Sequence, residues 1–223
     1  MMNVDSKEID ESSRISLRRL QTLTDCIFAL ALTLLVIFIE KPPVNMEPTE
    51  EAIRKYLFGQ LDVVAAYIIT FMNIAFYWFF SHNQSKHLRR SDGVHTWLTV
   101  LTLMFIGLLP FSNALNVALP DSLTIHFFYS SVVFFVGLLF CIDWLYATRG
   151  DRLVDRSISP GTVEGLIVES LVQPVAALLS FGGALISTFW WEMPFLLTPV
   201  AIFAISKFWE FSRTKRANTI QSE

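Results

Sequence analysis

Two acidic residues inside long apolar stretches are the side chains of this sequence most able to do chemistry. Asp25 lies near the start of an apolar run that extends from about Leu20 to Ile39, and Glu169 interrupts a later run. A carboxylate is costly to place in such a run, so it marks either a function or a specific partner. Asp25 could exchange protons, or it could join two helices. For the second role we expect its partner near Trp78 and His82, at the end of the next apolar run.

Other kinds of chemistry have little support in the sequence. The four histidines and two cysteines show no metal-ligand spacing, so we predict no metal site and no cofactor. No serine lies in a nucleophile-elbow motif, and no set of catalytic side chains converges, which argues against an enzyme. Cys26 and Cys141 both lie in apolar runs, and we expect buried thiols rather than a disulfide. The net charge of −3 gives no support to nucleic-acid binding.

The elements that carry these residues follow from the distribution of charge. Of 223 residues, 53% are hydrophobic and 17% are charged, whereas soluble domains carry about 25% charged residues. The charges gather at a few boundaries and leave six apolar stretches, each close to the length of about 20 residues that crosses a bilayer as a helix. We therefore predict an all-α integral membrane protein, one domain over 1–223. Its six transmembrane helices are predicted at 20–39, 63–80, 97–117, 125–146, 166–186 and 189–208.

Lysines and arginines are divided unequally between the two sides of this bundle. All but three of the 17 fall in the terminal segments, at Arg19 and Lys207 beside them, or in the connections 81–96 and 147–163. By the positive-inside rule this side is cytoplasmic, so the termini, 1–18 and 212–223, are predicted in the cytoplasm. The connection 40–62 is then extracellular.

The extramembrane parts are predicted to be small. An amphipathic stretch from Ala52 to Leu61 predicts a short surface helix with its N-cap near Thr49. The polar tail after Phe211 is expected to be disordered. Asp143 and Trp144, near the cytoplasmic end of the fourth span, are expected to be interfacial anchors.

One face of the first helix has the pattern of a constriction. Leu30, Leu34 and Ile37 stand at i, i+4 and i+7, and Thr33 flanks the same stripe. In a symmetric oligomer such a stripe repeats around the axis, so leucines form a ring that excludes water and threonine hydroxyls form a polar ring. Any packed membrane helix can show the same stripe, so the pattern alone leaves simple packing as an alternative.

Three short motifs resemble one known family. The segment Arg19-Leu20-Gln21-Thr22-Leu23-Thr24-Asp25 resembles the Arg-x-x-x-Phe-Ser-Asp motif of the transmembrane protein 175 family in its prokaryotic branch, with leucine for phenylalanine and threonine for serine. Trp78 with His82 is similar to the family's Trp-x-x-His, with the histidine one residue later. Leu109-Pro110-Phe111-Ser112 is similar to its Pro-Phe-Ser. Members of this family are potassium-permeable channels.

The resemblance implies a homotetramer around a central pore lined by the first helix, in the cell membrane of a prokaryote, with potassium as the permeant ion. It implies a hydrophobic constriction at Leu30, Leu34 and Ile37 and a polar selectivity layer at Thr33. It also implies a structural network that fixes the pore helix, formed by Arg19, Thr24, Asp25, Trp78 and His82. The Thr-Val-Gly-Tyr-Gly filter of ordinary potassium channels is absent from the sequence.

The alternative is a small proton-coupled secondary transporter that uses Asp25 or Glu169 as its proton site. Such transporters usually contain two repeats with broken helices at matching places. The two halves of this sequence show no such repeat, which favours the channel.

Overall fold

The computed structural model describes the backbone of residues 4–39, 41–155 and 157–221, and the side chains from residue 12 onward except 40, 156, 206 and 208–223. The outermost residues of both predicted terminal segments (1–3 and 222–223) and Glu40 of the extracellular connection lie outside the described residues. The described chain forms seven α-helices and no strand. They are α1 (Val4–Leu34), α2 (Glu50–Gly59), α3 (Leu61–Ser85), α4 (Gly93–Ala118), α5 (Leu123–Thr148), α6 (Pro160–Ala184) and α7 (Thr188–Gln221).

Six of these helices are long and apolar enough to cross a membrane. They are α1 and α3 to α7; the apolar part of α1, continued by a 3-10 turn, is Ser12–Phe38, and that of α7 is Thr188–Ile205. The all-α, six-span prediction is therefore confirmed, with each span displaced by only a few residues from its predicted bounds except at the two chain ends.

Both terminal helices extend beyond their predicted spans. α1 begins at Val4, well before the predicted start near Leu20, and α7 continues to Gln221. The expectation of a disordered tail after Phe211 is therefore wrong for the described residues. Neither polar extension contains glycine or proline, so each can continue an existing helix at little cost once the apolar part has nucleated it.

The predicted surface helix is confirmed as α2. The Thr49 hydroxyl accepts a hydrogen bond from the Ala52 N–H at 3.3 Å, which makes Thr49 the N-cap. Glu50 and Glu51 occupy the first turn, where carboxylates favour the helix dipole. Gln60 alone separates α2 from the membrane helix α3.

The bundle is organised around α4, α5, α6 and α7, each of which packs extensively on the next. α5 packs between α4 and α6, α7 packs along α6, and α1 packs mainly on α4 and α3. Tyr77, Ile106 and Val133 are fully buried at the centre, and Phe28 and Leu35 join α1 to them. α1 therefore contributes one side to the core and lies at the edge of the subunit.

A layer of polar side chains crosses the middle of the bundle. The Thr70 hydroxyl bonds Asn113 Oδ1 and the Tyr129 hydroxyl, both at 2.9 Å, and Asn73 Nδ2 donates to the Tyr129 hydroxyl at 3.2 Å. These bonds join α3, α4 and α5, and interhelical hydrogen bonds of this kind stabilise helix association where water is absent.

The connections at the basic end of the bundle are joined to each other. Leu88 forms an antiparallel bridge with Val154, and the Arg90 guanidinium donates two hydrogen bonds to the Arg152 carbonyl at 2.9 and 2.7 Å. The α3–α4 and α5–α6 connections are thus held together, which fixes the ends of the helices that surround the site described below.

Candidate functional site: the first helix and its supports

One side of α1 is left uncovered by the rest of the chain. Leu30, Leu34 and Ile37 are 56%, 42% and 68% exposed, whereas Phe28 on the opposite side is 1% exposed. We call this uncovered side the open face of α1; it consists of Cys26, Leu30, Thr33, Leu34 and Ile37, all exposed. The expectation that Cys26 is buried is therefore wrong, because the thiol lies on this face and not against the bundle.

The open face has a regular axial spacing. The α-helix ends at Leu34, and a 3-10 turn covers Leu35–Phe38, where an α-helix to Ile39 was expected. Residues three apart are in line in a 3-10 helix, so Ile37 stays in line with Leu34. Four residues of α-helix and three of 3-10 helix each rise about 6 Å. The side chains of Leu30, Leu34 and Ile37 are therefore equally spaced along one side of the helix.

Thr33 carries the polar group of the open face. Its hydroxyl donates a 2.9 Å hydrogen bond to the Leu30 carbonyl of its own helix. This bond uses the hydroxyl proton and leaves the oxygen available as an acceptor. Oxygen acceptors are the groups that can replace water around a cation.

Asp25 is joined to α3 at the edge of the open face. The indole N–H of Trp78 donates a 3.0 Å hydrogen bond to Asp25 Oδ1, and the His82 ring stacks on Trp78 with 5.6 Å between ring centroids. The structure therefore brings Asp25, Trp78 and His82 together. Asp25 and His82 are both exposed in the single chain, so the carboxylate is not buried within one subunit.

Two residues of the expected network lie elsewhere. Thr24 points into the bundle, and its hydroxyl donates to the Leu20 carbonyl at 2.9 Å. Arg19 is exposed, and the described side chains include no ion pair to it. At 100° per residue, Arg19 lies about 240° around the helix from Asp25, which explains why the two do not meet in one chain.

Sequence reasoning missed a buried pair behind α1. His95 Nδ1 of α4 and Asp143 Oδ1 of α5 are 2.7 Å apart, and their side chains are 6% and 12% exposed. The expectation that Asp143 and Trp144 are interfacial anchors is wrong, because both face neighbouring helices; the Trp144 indole donates to the Val163 carbonyl at 3.2 Å. The pair is separated by 48 residues, so no local sequence pattern could reveal it.

Asp92 positions His95 at the start of α4. Its Oδ1 accepts from the His95 backbone N–H at 2.9 Å, and its Oδ2 accepts from the Tyr146 hydroxyl at 2.7 Å. Partial burial alone would raise the pKa of Asp92, but these donors and the nearby His95 ring together hold it below its ordinary value. Asp92 therefore stays ionised near neutral pH and caps α4.

The two residues offered as the proton site of the transporter alternative, Asp25 or Glu169, lie in different places. Asp25 lines a cavity at the basic end of the bundle, and Glu169, which is partly buried on α6, is not among the residues around that cavity. Among the described residues, no group of three histidine, cysteine, aspartate or glutamate side chains could hold a metal ion.

Comparison with known proteins identifies relatives with named activities. Residues 19–110 match the family model for the endosomal/lysosomal potassium channel TMEM175. The chain is 25% identical over 173 residues to a potassium channel of Streptomyces collinus, covering 76% of this chain and 82% of that one. It is 24% identical over 187 residues to a potassium channel of Chamaesiphon minutus, covering 82% and 89%. It is also 23% identical to the endosomal/lysosomal proton channel TMEM175 of Rattus norvegicus, covering 87% of this chain but 39% of the rat protein.

Two solved structures share the fold. The crystal structure of a lysosomal potassium-selective channel TMEM175 homologue from Chamaesiphon minutus superposes with a TM-score of 0.70 at 20% identity, covering 87% of this chain and 98% of that one. A crystallised variant of the potassium channel MtTMEM175, bound to a nanobody fusion, gives a TM-score of 0.55 at 18% identity, covering 89% and 93%. At these identities the likeness shows the fold alone.

Proposed function

We propose, from the premise that this chain is a homologue of the TMEM175 channels, that it is a potassium channel whose conduction pathway is lined by α1. In this proposal four copies assemble with the open faces of α1 around the axis. Leu30, Leu34 and Ile37 form hydrophobic rings, and Thr33 forms a polar ring beside them.

The observation that carries the proposal is the position of Asp25 beside an uncovered helix face. Asp25 is exposed in the single chain although it lies within a membrane-spanning helix. A carboxylate in contact with lipid at that depth is strongly unfavourable, and such residues normally face a water-filled cavity or another helix. The open face, which Asp25 borders, is therefore suited to an aqueous pathway or a subunit contact.

The spacing of the rings suggests how conduction is limited. A ring of leucine side chains offers a cation nothing in exchange for its hydration water, so a narrow ring is a barrier that opens by wetting. The Thr33 oxygen, one residue before Leu34, can replace part of that water. Steps of about 6 Å place the rings in series, so an ion that leaves one ring meets the next before it is fully hydrated.

Homology to the TMEM175 channels also suggests where the protein is located, which ion it conducts and how it is oriented in the membrane. The bacterial relatives and the six apolar helices support a multi-pass protein of a prokaryotic inner membrane, and the basic end of the bundle is placed in the cytoplasm by the positive-inside rule. No cofactor is part of the proposal. Because the rat relative is named a proton channel, protons are included in the test as a competing permeant ion.

The test is to record purified protein in a planar bilayer with potassium on one side and sodium on the other, first at equal pH and then with a pH difference across the bilayer. We expect single-molecule current steps and a reversal potential displaced toward the potassium equilibrium potential. Thr33→Ala should reduce this displacement without abolishing current. Thr148→Ala is the matched control, because its hydroxyl makes a similar bond to the Trp144 carbonyl of its own helix, α5, away from the open face.

Two outcomes would contradict the proposal. Flux that appears only as slow uptake driven by a proton gradient, without current steps, would favour the transporter that uses Asp25 or Glu169. A reversal potential that follows the proton gradient alone would show that potassium is not the main permeant ion.

A further inference from the structure

A polar cavity lies behind α1 at the basic end of the bundle. It has a volume of about 300 Å³ and is lined by residues of α1, α3, α4, α5 and the α3–α4 connection. Its lining includes Thr24 and Asp25 of α1, and His95 and Asp143 of α4 and α5. The helix proposed to line the pathway and the buried pair therefore border the same cavity.

The His95–Asp143 pair has the geometry of a proton-binding site. The two side chains are nine-tenths buried, or nearly so, and are joined by a 2.7 Å contact between Nδ1 and Oδ1. With Nδ1–H donating to the carboxylate, the Nε2 atom of a neutral imidazole is an acceptor and can take up one further proton. Histidine is the side chain that proteins most often use to bind and release a proton in pH-dependent switches.

The other ionisable groups around the pair are few. α1 contributes Asp25, and α3 contributes His82 and Lys86. Asp92 at the start of α4 accepts from the His95 backbone N–H and is held by Tyr146 of α5. Asp92 and Asp143 thus place carboxylates beside His95, and Lys86 places an ammonium group on the same cavity. His82 stacks on Trp78, the residue that holds Asp25.

The cavity also has a route to the cytoplasmic side. Lys86 and Ser85, at the end of α3, line it, and the neighbouring connection between α3 and α4 lies on the side that carries most of the basic residues. A proton from that compartment can therefore reach His95 without crossing the apolar part of the bundle.

We propose that His95 and Asp143 form a proton-binding site, reached from the cytoplasm through this cavity, that reduces conduction when it is occupied. The proposal rests on the proposed channel function. Protonation of Nε2 converts the hydrogen bond between a neutral imidazole and the Asp143 carboxylate into an ion pair. The net charge of the pair thereby changes from −1 to zero beside a cavity that Asp25 also lines. The pair then no longer attracts cations to the inner end of α1.

The expected effect is large enough to be measured as a change in current. Coupling between two sites in one protein typically changes an equilibrium at least about fivefold, so we expect at least about a fivefold loss of potassium current.

The experiment uses excised membrane patches from cells that express the full chain, with symmetric potassium. In inside-out patches, a change of bath pH from 7.5 to 5.5 should reduce the current at least about fivefold. In outside-out patches the same change should have little effect.

The variants test the site itself. His95→Gln should conduct at pH 7.5 and lose the response to acid, and Asp143→Asn should weaken that response. His87→Gln is the matched control, because His87 lies on the same side of the membrane but does not line the cavity; it should keep the full response.

The outcomes separate this inference from the proposed function. Absence of potassium current at pH 7.5 would contradict the channel itself. A wild-type current that ignores cytoplasmic acidification, or a response that His95→Gln retains, would overturn the proton site and leave the channel standing. If neither variant assembles, the wild-type protein still tests the inference. An equal response to acid in inside-out and outside-out patches would overturn a site that is reached from the cytoplasm.

Discussion

The indole N–H of Trp78 donates a 3.0 Å hydrogen bond to the Asp25 carboxylate. This contact joins α3 to the first membrane helix at the edge of its open face. Because both side chains are partly accessible in a single chain, the bond holds α1 in place without sealing the carboxylate away from water. It is the link between the fold of one subunit and the position of the proposed pathway.

The first prediction is that Trp78 and Asp25 are energetically coupled. Trp78→Phe and Asp25→Ala should each lower the free energy of unfolding in detergent. The double variant should lose less than the two single losses added together, with a coupling of about 1 kcal/mol because the bond is partly exposed. Equilibrium denaturation followed by far-ultraviolet circular dichroism measures all four proteins. Additive losses, or a stable Asp25→Ala oligomer with altered ion preference, would contradict a structural role for this bond.

The sequence was enough to predict the transmembrane helices. It was not enough to predict features that depend on contacts between helices. Apolar stretches of membrane length and the Thr49 cap are local properties, and both were predicted. The His95–Asp143 pair was missed because its members are 48 residues apart, and Asp143 taken alone has the features of an interfacial anchor.

Exposure was equally hard to read from the sequence. Cys26 and Cys141 occupy similar apolar surroundings, yet Cys26 is exposed and Cys141 is buried. The difference depends on which side of each helix meets its neighbours. The helix ends near the two termini were also predicted wrongly. α1 and α7 continue through polar residues, whereas the length of the apolar stretches placed those residues outside the helices.

The second prediction concerns the contact between α6 and α7. A Cβ atom at Gly183 would overlap the backbone carbonyl of Trp190, whereas one at Gly182 would meet nothing within 4 Å. Gly183→Ala should therefore destabilise the protein by about 1–3 kcal/mol, since backbone cannot move aside easily. Gly182→Ala should be neutral or slightly stabilising, because alanine favours the helix. Thermal unfolding of the purified variants distinguishes them, and equal effects would show that α6 and α7 are not in this close contact.

The third prediction concerns orientation in the membrane. Asn45 is exposed in the connection between α1 and α2, and Ser157 is exposed in the α5–α6 connection. In a protein with Cys26→Ser and Cys141→Ser, a cysteine at position 45 should react with an impermeant maleimide on intact cells. A cysteine at position 157 should react only after permeabilisation, because the basic side is cytoplasmic. The reverse pattern would overturn the orientation.

The fourth prediction uses the two native cysteines. Cys26 lies on the open face one turn before Leu30, and Cys141 is buried. If the open face lines the pathway, a positively charged methanethiosulfonate reagent should attach to Cys26 and reduce potassium current, because the added charge repels cations. Cys26→Ser should abolish this block, and Cys141→Ser should leave it unchanged. Block that survives in Cys26→Ser, or free reaction of Cys26 without loss of current, would place the pathway elsewhere.

The fifth prediction tests the hydrophobic constriction itself. Leu30 is 56% exposed on the open face, whereas Leu32 is partly buried against the core of its own subunit and lies about 200° around the helix. Leu30→Asn should wet the ring, raise the resting current and weaken the preference for potassium, because a hydrated ion could then pass. Leu32→Asn should lower stability through the core and change conduction much less. Both variants are recorded under the same potassium–sodium gradient as the wild-type protein, with expression and assembly checked by size-exclusion chromatography. Identical currents in the two variants, or no change in either, would mean that α1 does not line the pathway.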